Sequence, residues 1–150
     1  MTEMSVAQNK ELQLADMLAQ IEALNKAQAV IEFNMDGTII TANDNFLSTL
    51  GYTLGEIQGK HHSLFIDAAQ KSSNEYQQFW QKLNRGEFDS GEYLRKGKGG
   101  KDVWIQASYN PIFDLNGKTI KVVKFATNIT GRKQAIAEIK EALMTYLKVI

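Results

Sequence analysis

The chain has 150 residues, 43% of them hydrophobic and 23% charged, with 17 Lys+Arg set against 17 Asp+Glu. That length supports one hydrophobic core and that composition is globular, while a balanced charge leaves no field to hold a polyanion, so nucleic acid is not an expected partner. The absence of cysteine excludes disulfides, iron–sulfur clusters, thiolate zinc sites, cysteine nucleophiles and cysteinyl–flavin photochemistry. The first residues lack a basic segment followed by an apolar one, and no run of eighteen apolar residues occurs. A cytoplasmic chain, or a soluble piece of a larger protein, is therefore expected.

Residues 4–28 contain neither Gly nor Pro, and Leu14, Met17, Ile21 and Leu24 recur at steps of three and four. This is a heptad seam on a helix, about two heptads long, too short to stand alone; it leans either on its own domain or on a second copy. Ala29-Val30-Ile31-Glu32-Phe33, a turn at Asn34-Met35-Asp36-Gly37, and Thr38-Ile39-Ile40-Thr41 predict a hairpin. Asn43 can cap a short helix bearing Phe46, Leu47 and Leu50, which Gly51 ends. Thr53-Leu54-Gly55-Glu56 has capping-box spacing for a second short helix to Gln58.

Residues 59–71 show no clean period and hold the only histidines, His61 and His62. Ser72-Ser73-Asn74-Glu75 again offers a capping box, after which Tyr76, Phe79, Trp80 and Leu83 fall at helical spacing until Asn84-Arg85-Gly86. Three strands are predicted at 88–96, 102–112 and 119–128, separated by Gly-rich turns, with the single proline, Pro111, near the end of the middle one. Residues 131–150 form a last helix with Ile136, Ile139, Leu143, Tyr146 and Ile150 in heptad register. The order predicts an α+β fold: a five-stranded antiparallel sheet with short helices on one face, flanked by N- and C-terminal helices. The division is 1–28 flanking helix, 29–130 domain, 131–150 outgoing helix.

Together, Phe33-Asn34-Met35-Asp36-Gly37, Ala42-Asn43-Asp44-Asn45-Phe46, Gly51-Tyr52-Thr53 with Glu56 and Gly59, the Gly97-Lys98-Gly99-Gly100 turn and Ala126-Thr127-Asn128-Ile129-Thr130 resemble a PAS domain over residues 27–130. Gly59-Lys60-His61-His62, Phe79-Trp80 and the stretch from Trp104 to Pro111 resemble most the PAS domains of bacterial methyl-accepting chemotaxis receptors of the aerotaxis type. That resemblance implies a cytoplasmic sensory module without turnover. It encloses a small-molecule cavity and relays to a receptor signalling domain through flanking helices that pair in a homodimer; membrane insertion of this chain is not expected.

The resemblance also implies FAD, for which Asn43, His62 and Trp80 match positions that matter. A flavin ring needs flat apolar walls and a few directed polar groups. Trp80 would stack on it, His62 would donate to a phosphate or carbonyl, and Asn43 would bridge backbone to ligand. Plainer roles compete: a core position for Trp80 and an N-cap for Asn43. Leu64-Phe65-Ile66-Asp67 stands where the relatives carry basic residues, which leaves FMN, haem b or no cofactor as alternatives. Haem would draw its axial ligand from His61 or His62; no other metal site is expected. On the middle strand, Gln106, Ser108 and Asn110 share one face with Trp104, and Val103, Ile105, Ala107 and Tyr109 the other. Either face suits a cavity; Trp104, Gln106 and Asn110 complete the expected cofactor-binding set. With Phe46, Phe65, Phe79, Trp80, Trp104 and Phe125 filling the interior, the alternative is a cofactor-free dimerisation and relay module.

Arg95, Lys96, Lys98 and Lys101 read as a solvated basic hairpin tip, lacking phosphate-loop spacing. Asp44, Glu56 and Asp67 are scattered acids with no partner base, so an enzyme is not expected.

Overall fold

The structure, a computed structural model, describes residues 3–149. Ser5 opens the first helix: its hydroxyl accepts from the Gln8 N–H at 3.2 Å, and the Gln8 side-chain oxygen accepts from the Ser5 N–H at 2.9 Å. This closes a capping box ahead of α1 (Val6–Ala27). No α1 residue is buried, and its seam residues Leu14, Met17, Ile21 and Leu24 stay exposed.

Strands β1 (Ala29–Phe33) and β2 (Ile39–Ala42) pair antiparallel about Gly37. Glycine is required there, because φ is +88° and an added Cβ would lie 2.5 Å from His61 Nε2. The helical segment follows as α2 (Asp44–Leu50), α3 (Leu54–Ile57), a 3-10 turn (His62–Phe65) and α4 (Asn74–Asn84). The Glu56 carboxylate accepts from the Thr53 N–H at 2.9 Å, as the spacing predicts. At α4 the cap is one residue later than expected: Ser73, not Ser72, accepts from the Tyr76 N–H.

Strands β3 (Asp89–Lys96), β4 (Asp102–Phe113) and β5 (Thr119–Asn128) complete a five-stranded sheet in the order β2-β1-β5-β4-β3, every pair antiparallel. β3 pairs with β4 only as far as Tyr109, so Pro111 lies where β4 has β5 as its one neighbour and a missing N–H costs nothing. The chain leaves through α5 (Thr130–Val149); the predicted seam residues Ile136, Ile139, Leu143 and Tyr146 are exposed, and Ile150 lies outside the described residues.

Alternation fixes the faces of the sheet. Ile31 and Phe33 of β1, Val122, Lys124 and Ala126 of β5, Val103, Ile105, Ala107 and Tyr109 of β4, and Tyr93 and Arg95 of β3 point toward the helices. Phe46, Leu50, Ile57, Phe65 and Leu83 close over them. The sheet's other face carries Val30, Glu32, Trp104, Gln106, Ser108, Asn110, Ile112, Lys121, Val123 and Phe125, and the last turns of α1 stand over its β1–β5–β4 part, leaving an apolar groove of about 340 Å³.

Candidate functional site

Asn43 is fully committed as a structural brace. Its Oδ1 accepts from the N–H groups of Phe46 (3.0 Å) and Val30 (2.9 Å), and its Nδ2 donates to the carbonyls of Gln28 (2.9 Å) and Asn25 (3.1 Å). One side chain thus caps α2, holds the start of β1 and fastens the end of α1, with no donor or acceptor left for a ligand.

His61 and His62 part as a change of direction demands. His61 Nδ1 accepts from the Ser63 N–H at 3.0 Å, capping the 3-10 turn, and its Nε2 faces the Gly37 turn. His62 turns inward and is completely buried. Its ring stacks near Tyr76 and Phe79 at centroid separations of 5.8 and 5.9 Å and meets Phe33, Trp80 and Tyr109 edge-on. Both nitrogens are engaged, Nδ1 with the Tyr76 hydroxyl at 2.7 Å and Nε2 with the Tyr109 hydroxyl at 3.1 Å. Burial, with Arg95 and Lys124 nearby, holds the imidazole well below its usual range, so it is neutral at pH 7.

The proton positions follow from counting donors. Tyr109 Oη accepts from Arg95 Nε at 3.3 Å and Nη2 at 3.0 Å, which leaves its own hydrogen for His62 Nε2. His62 then carries its proton on Nδ1 and donates to Tyr76, whose oxygen also accepts from Trp80 Nε1 at 3.2 Å. A continuous chain, Arg95 to Tyr109 to His62 to Tyr76, joins β3 and β4 to the 3-10 turn and α4. Burial pushes the Tyr76 hydroxyl up to about 12, and raises Tyr109 as well. Beside Tyr76 a cleft of about 340 Å³ opens to solvent, lined by Ile66, Ser73, Tyr76, Phe79, Tyr93 and Arg95, with Gln70 and Glu75 at its rim.

The expected site residues therefore separate. His62 and Trp80 meet in the interior, while Trp104, Gln106 and Asn110 lie on the opposite face of the sheet, which corrects their assignment to a cavity wall. The inward face of β4 is the one carrying Val103, Ile105, Ala107 and Tyr109. Asn110 Nδ2 braces the strands, donating to Ser108 Oγ at 3.0 Å and the Val123 carbonyl at 3.1 Å, and Gln106 is exposed. Trp104 anchors α5: its N–H meets Thr130 Oγ1 at 3.0 Å, its carbonyl accepts from Ile129 at 2.9 Å, and Lys133 Nζ lies 4.7 Å from its ring centre. Phe125 also lies on that outer face, so neither it nor Trp104 fills the interior.

A second correction concerns the basic tip. Lys96 pairs with Asp102 and Lys98 with Glu56, but Arg95 is buried and reaches back along its strand, over the Tyr93 ring at 4.7 Å, to Tyr109. Sequence reasoning passed over Lys124, 1% exposed, whose Nζ lies 4.8 Å from the Tyr109 ring centre and 5.5 Å from that of Phe46. Burial first, and Arg95 second, hold its amine well below the usual lysine range. The available signal was phase: Lys124 falls in step with Val122 and Ala126, the buried residues of β5.

The packed interior around His62 has no slot for either implied cofactor. Aromatic rings at centroid separations of 4.8 to 6.2 Å occupy the space between helices and sheet. The nitrogens of His62, Trp80 and Asn43 are all engaged, so these three residues offer an isoalloxazine no free donor in the closed interior. Haem lacks an axial ligand for the same reason, since neither histidine turns a free nitrogen inward.

A family profile described as the PAS fold matches residues 39–126, more than half of the chain. Biofilm dispersion protein BdlA of Pseudomonas aeruginosa is 41% identical over 117 residues, 78% of this chain and 28% of that protein. The Aerotaxis receptor of Escherichia coli is 29% identical over 105 residues, 70% of this chain and 20% of that protein. The chain thus spans less than a third of the length of these two curated relatives. A solved PAS domain from Colwellia psychrerythraea superposes with a TM-score of 0.65 at 19% identity, covering 77% of this chain and 98% of that one, a likeness of fold. Among the described residues, no helix is long and apolar enough to cross a membrane.

Proposed function

We propose, from the premise that this chain belongs to the PAS family, that it is a cytoplasmic sensory module of a chemotaxis-type transducer, carrying a change in its interior outward to α5 without catalysing a reaction. Carrying this reading is the hydrogen-bonded chain Arg95–Tyr109–His62–Tyr76, which ties the helical cap to β3 and β4. The same two strands hold the root of α5: Trp104 of β4 bonds Thr130, and Glu92 of β3 pairs with Arg132 and Lys133 at 2.5 and 2.7 Å. A ligand that re-pairs Tyr109 or Arg95 would shift the strands on which α5 is rooted, a population shift needing only differential contact with two states.

The exposed seams of α1 and α5 are the surfaces through which two copies would pair, with residues 1–28 and 131–150 as flanking arms and 29–130 as the sensor; further receptor domains would receive the signal. A nitroxide at Glu141, exposed on α5 and off the seam, tests this reading. The distance between the two labels of a dimer should change in Tyr109→Phe, and an unchanged distribution would overturn the relay.

Flavin-based redox or oxygen sensing is the second reading, favoured by the 29% identity to the Aerotaxis receptor. It requires the Trp80–Phe79–His62 cluster to open, and an absorption spectrum of the purified chain decides it. Bands near those of an oxidised flavin would establish the cofactor, and a spectrum still featureless after incubation with FAD, FMN and haemin would remove it.

A further inference from the structure

Arg95 is a buried cation with no carboxylate paired to it among the described residues, and the buried amine of Lys124 lies against the same ring. Arg95 is 8% exposed and Lys124 1%. They approach one ring, the Arg95 Cζ at 5.9 Å and the Lys124 Nζ at 4.8 Å from the centre of Tyr109. Among the described residues neither makes an ion pair. Asp89, in phase with Tyr93 and Arg95 on β3, is taken by Lys82 at 3.0 Å and by the Tyr93 hydroxyl. Arg95 spends three N–H groups on Tyr109 and the Leu94 carbonyl, which leaves two of its five donors without a protein acceptor. Arg95 also lines the cleft that opens beside Tyr76.

Burying an unpaired charge is expensive, and a planar guanidinium with spare donors at the floor of an aromatic-walled cleft matches a carboxylate in geometry and sign. We infer that the cleft beside Tyr76 is a recognition site for a small organic carboxylate, whose charged end meets Arg95 and whose apolar body lies between Phe79, Tyr93 and Ile66. The inference supplies a ligand class for the sensory reading above and rests on that reading only for its purpose. An incoming carboxylate would compete with Tyr109 for Arg95, loosening the first link of the interior chain.

The test is a calorimetric titration of the full chain at pH 7 with benzoate and, as a neutral isostere, benzamide. Saturable binding of benzoate with none of benzamide is expected. Arg95→Met should weaken it by about tenfold or more, the scale of a lost charge-assisted hydrogen bond, and Arg95→Lys should retain part of the affinity. Equal binding of benzoate and benzamide, no binding of benzoate at millimolar concentration, or undiminished binding by Arg95→Met would each overturn the site. Since the titration reads binding alone, its failure removes the ligand class and leaves the relay, which the Glu141 label distances test separately.

Discussion

Lys124 gives the most informative single perturbation. Its amine sits against Phe46 and Tyr109 with no carboxylate in reach, and burial drives it below the ordinary lysine value of 10.5. Each pH unit by which a group is displaced corresponds to about 1.4 kcal/mol, so the lowering of the Lys124 amine is a cost to the fold that grows by that amount per unit. Methionine keeps the unbranched stem and removes the charge. Lys124→Met should therefore stabilise the domain by about 1–4 kcal/mol at pH 7, or several degrees in Tm at about 2–4 °C per kcal/mol for a chain of this size.

The sign with pH is specific. The folded-state value is lowered, so between it and 10.5 the unfolded chain binds the extra proton and the wild type gains stability as pH rises. The advantage of the methionine variant must then shrink toward alkaline pH and vanish above 10.5. Urea unfolding followed by tryptophan fluorescence at pH 7 and pH 9.5 measures both quantities. Destabilisation by more than 1 kcal/mol, or a difference independent of pH, would refute the reasoning.

Three further outcomes follow from the same contacts. His62 is buried neutral with its value lowered, so wild-type stability should fall as pH drops below about 6.5, by up to about 1.4 kcal/mol per unit, and His62→Gln should flatten that slope in urea midpoints taken from pH 7 to 5. Asn43→Ala removes an N-cap and leaves the Val30 N–H without its acceptor, a loss of about 2–4 kcal/mol by equilibrium unfolding. Glu92→Ala breaks only solvent-screened ion pairs and should leave the urea midpoint nearly unchanged, yet hydrogen exchange in the first turns of α5 should quicken, because Arg132 and Lys133 lose their anchor on β3.

Most of the fold could be read from the chain because its signals are local. Gly37 and Gly51 sit at positive φ as the turns demand, Asn43 caps its helix, and period-two alternation sets the register of β4 and β5. The site was harder to read because it depends on which side of a strand faces the helices. β4 offers a plausible polar face in Gln106, Ser108 and Asn110 and a plausible apolar face ending in Tyr109, and only packing against α4 and the 3-10 turn selects between them. Lys124 and Arg95 were obscured by their charge, which ordinarily marks a solvated position; their phase with Ala126 and Tyr93 placed them inside. Trp104 looked like a cavity wall because it is large and aromatic, but one residue of phase sends it to the root of α5.

The central claim is that the interior chain of hydrogen bonds is coupled to the outgoing helix. Hydrogen–deuterium exchange of wild type and Tyr109→Phe tests it most directly, since that substitution removes one hydroxyl and keeps the ring that packs on Phe79 and His62. Coupling predicts faster exchange both in α4 and at residues 129–136 of the α5 root, with β1 and β2 unchanged. Exchange that quickens around His62 and α4 while residues 129–136 keep their wild-type protection would contradict it.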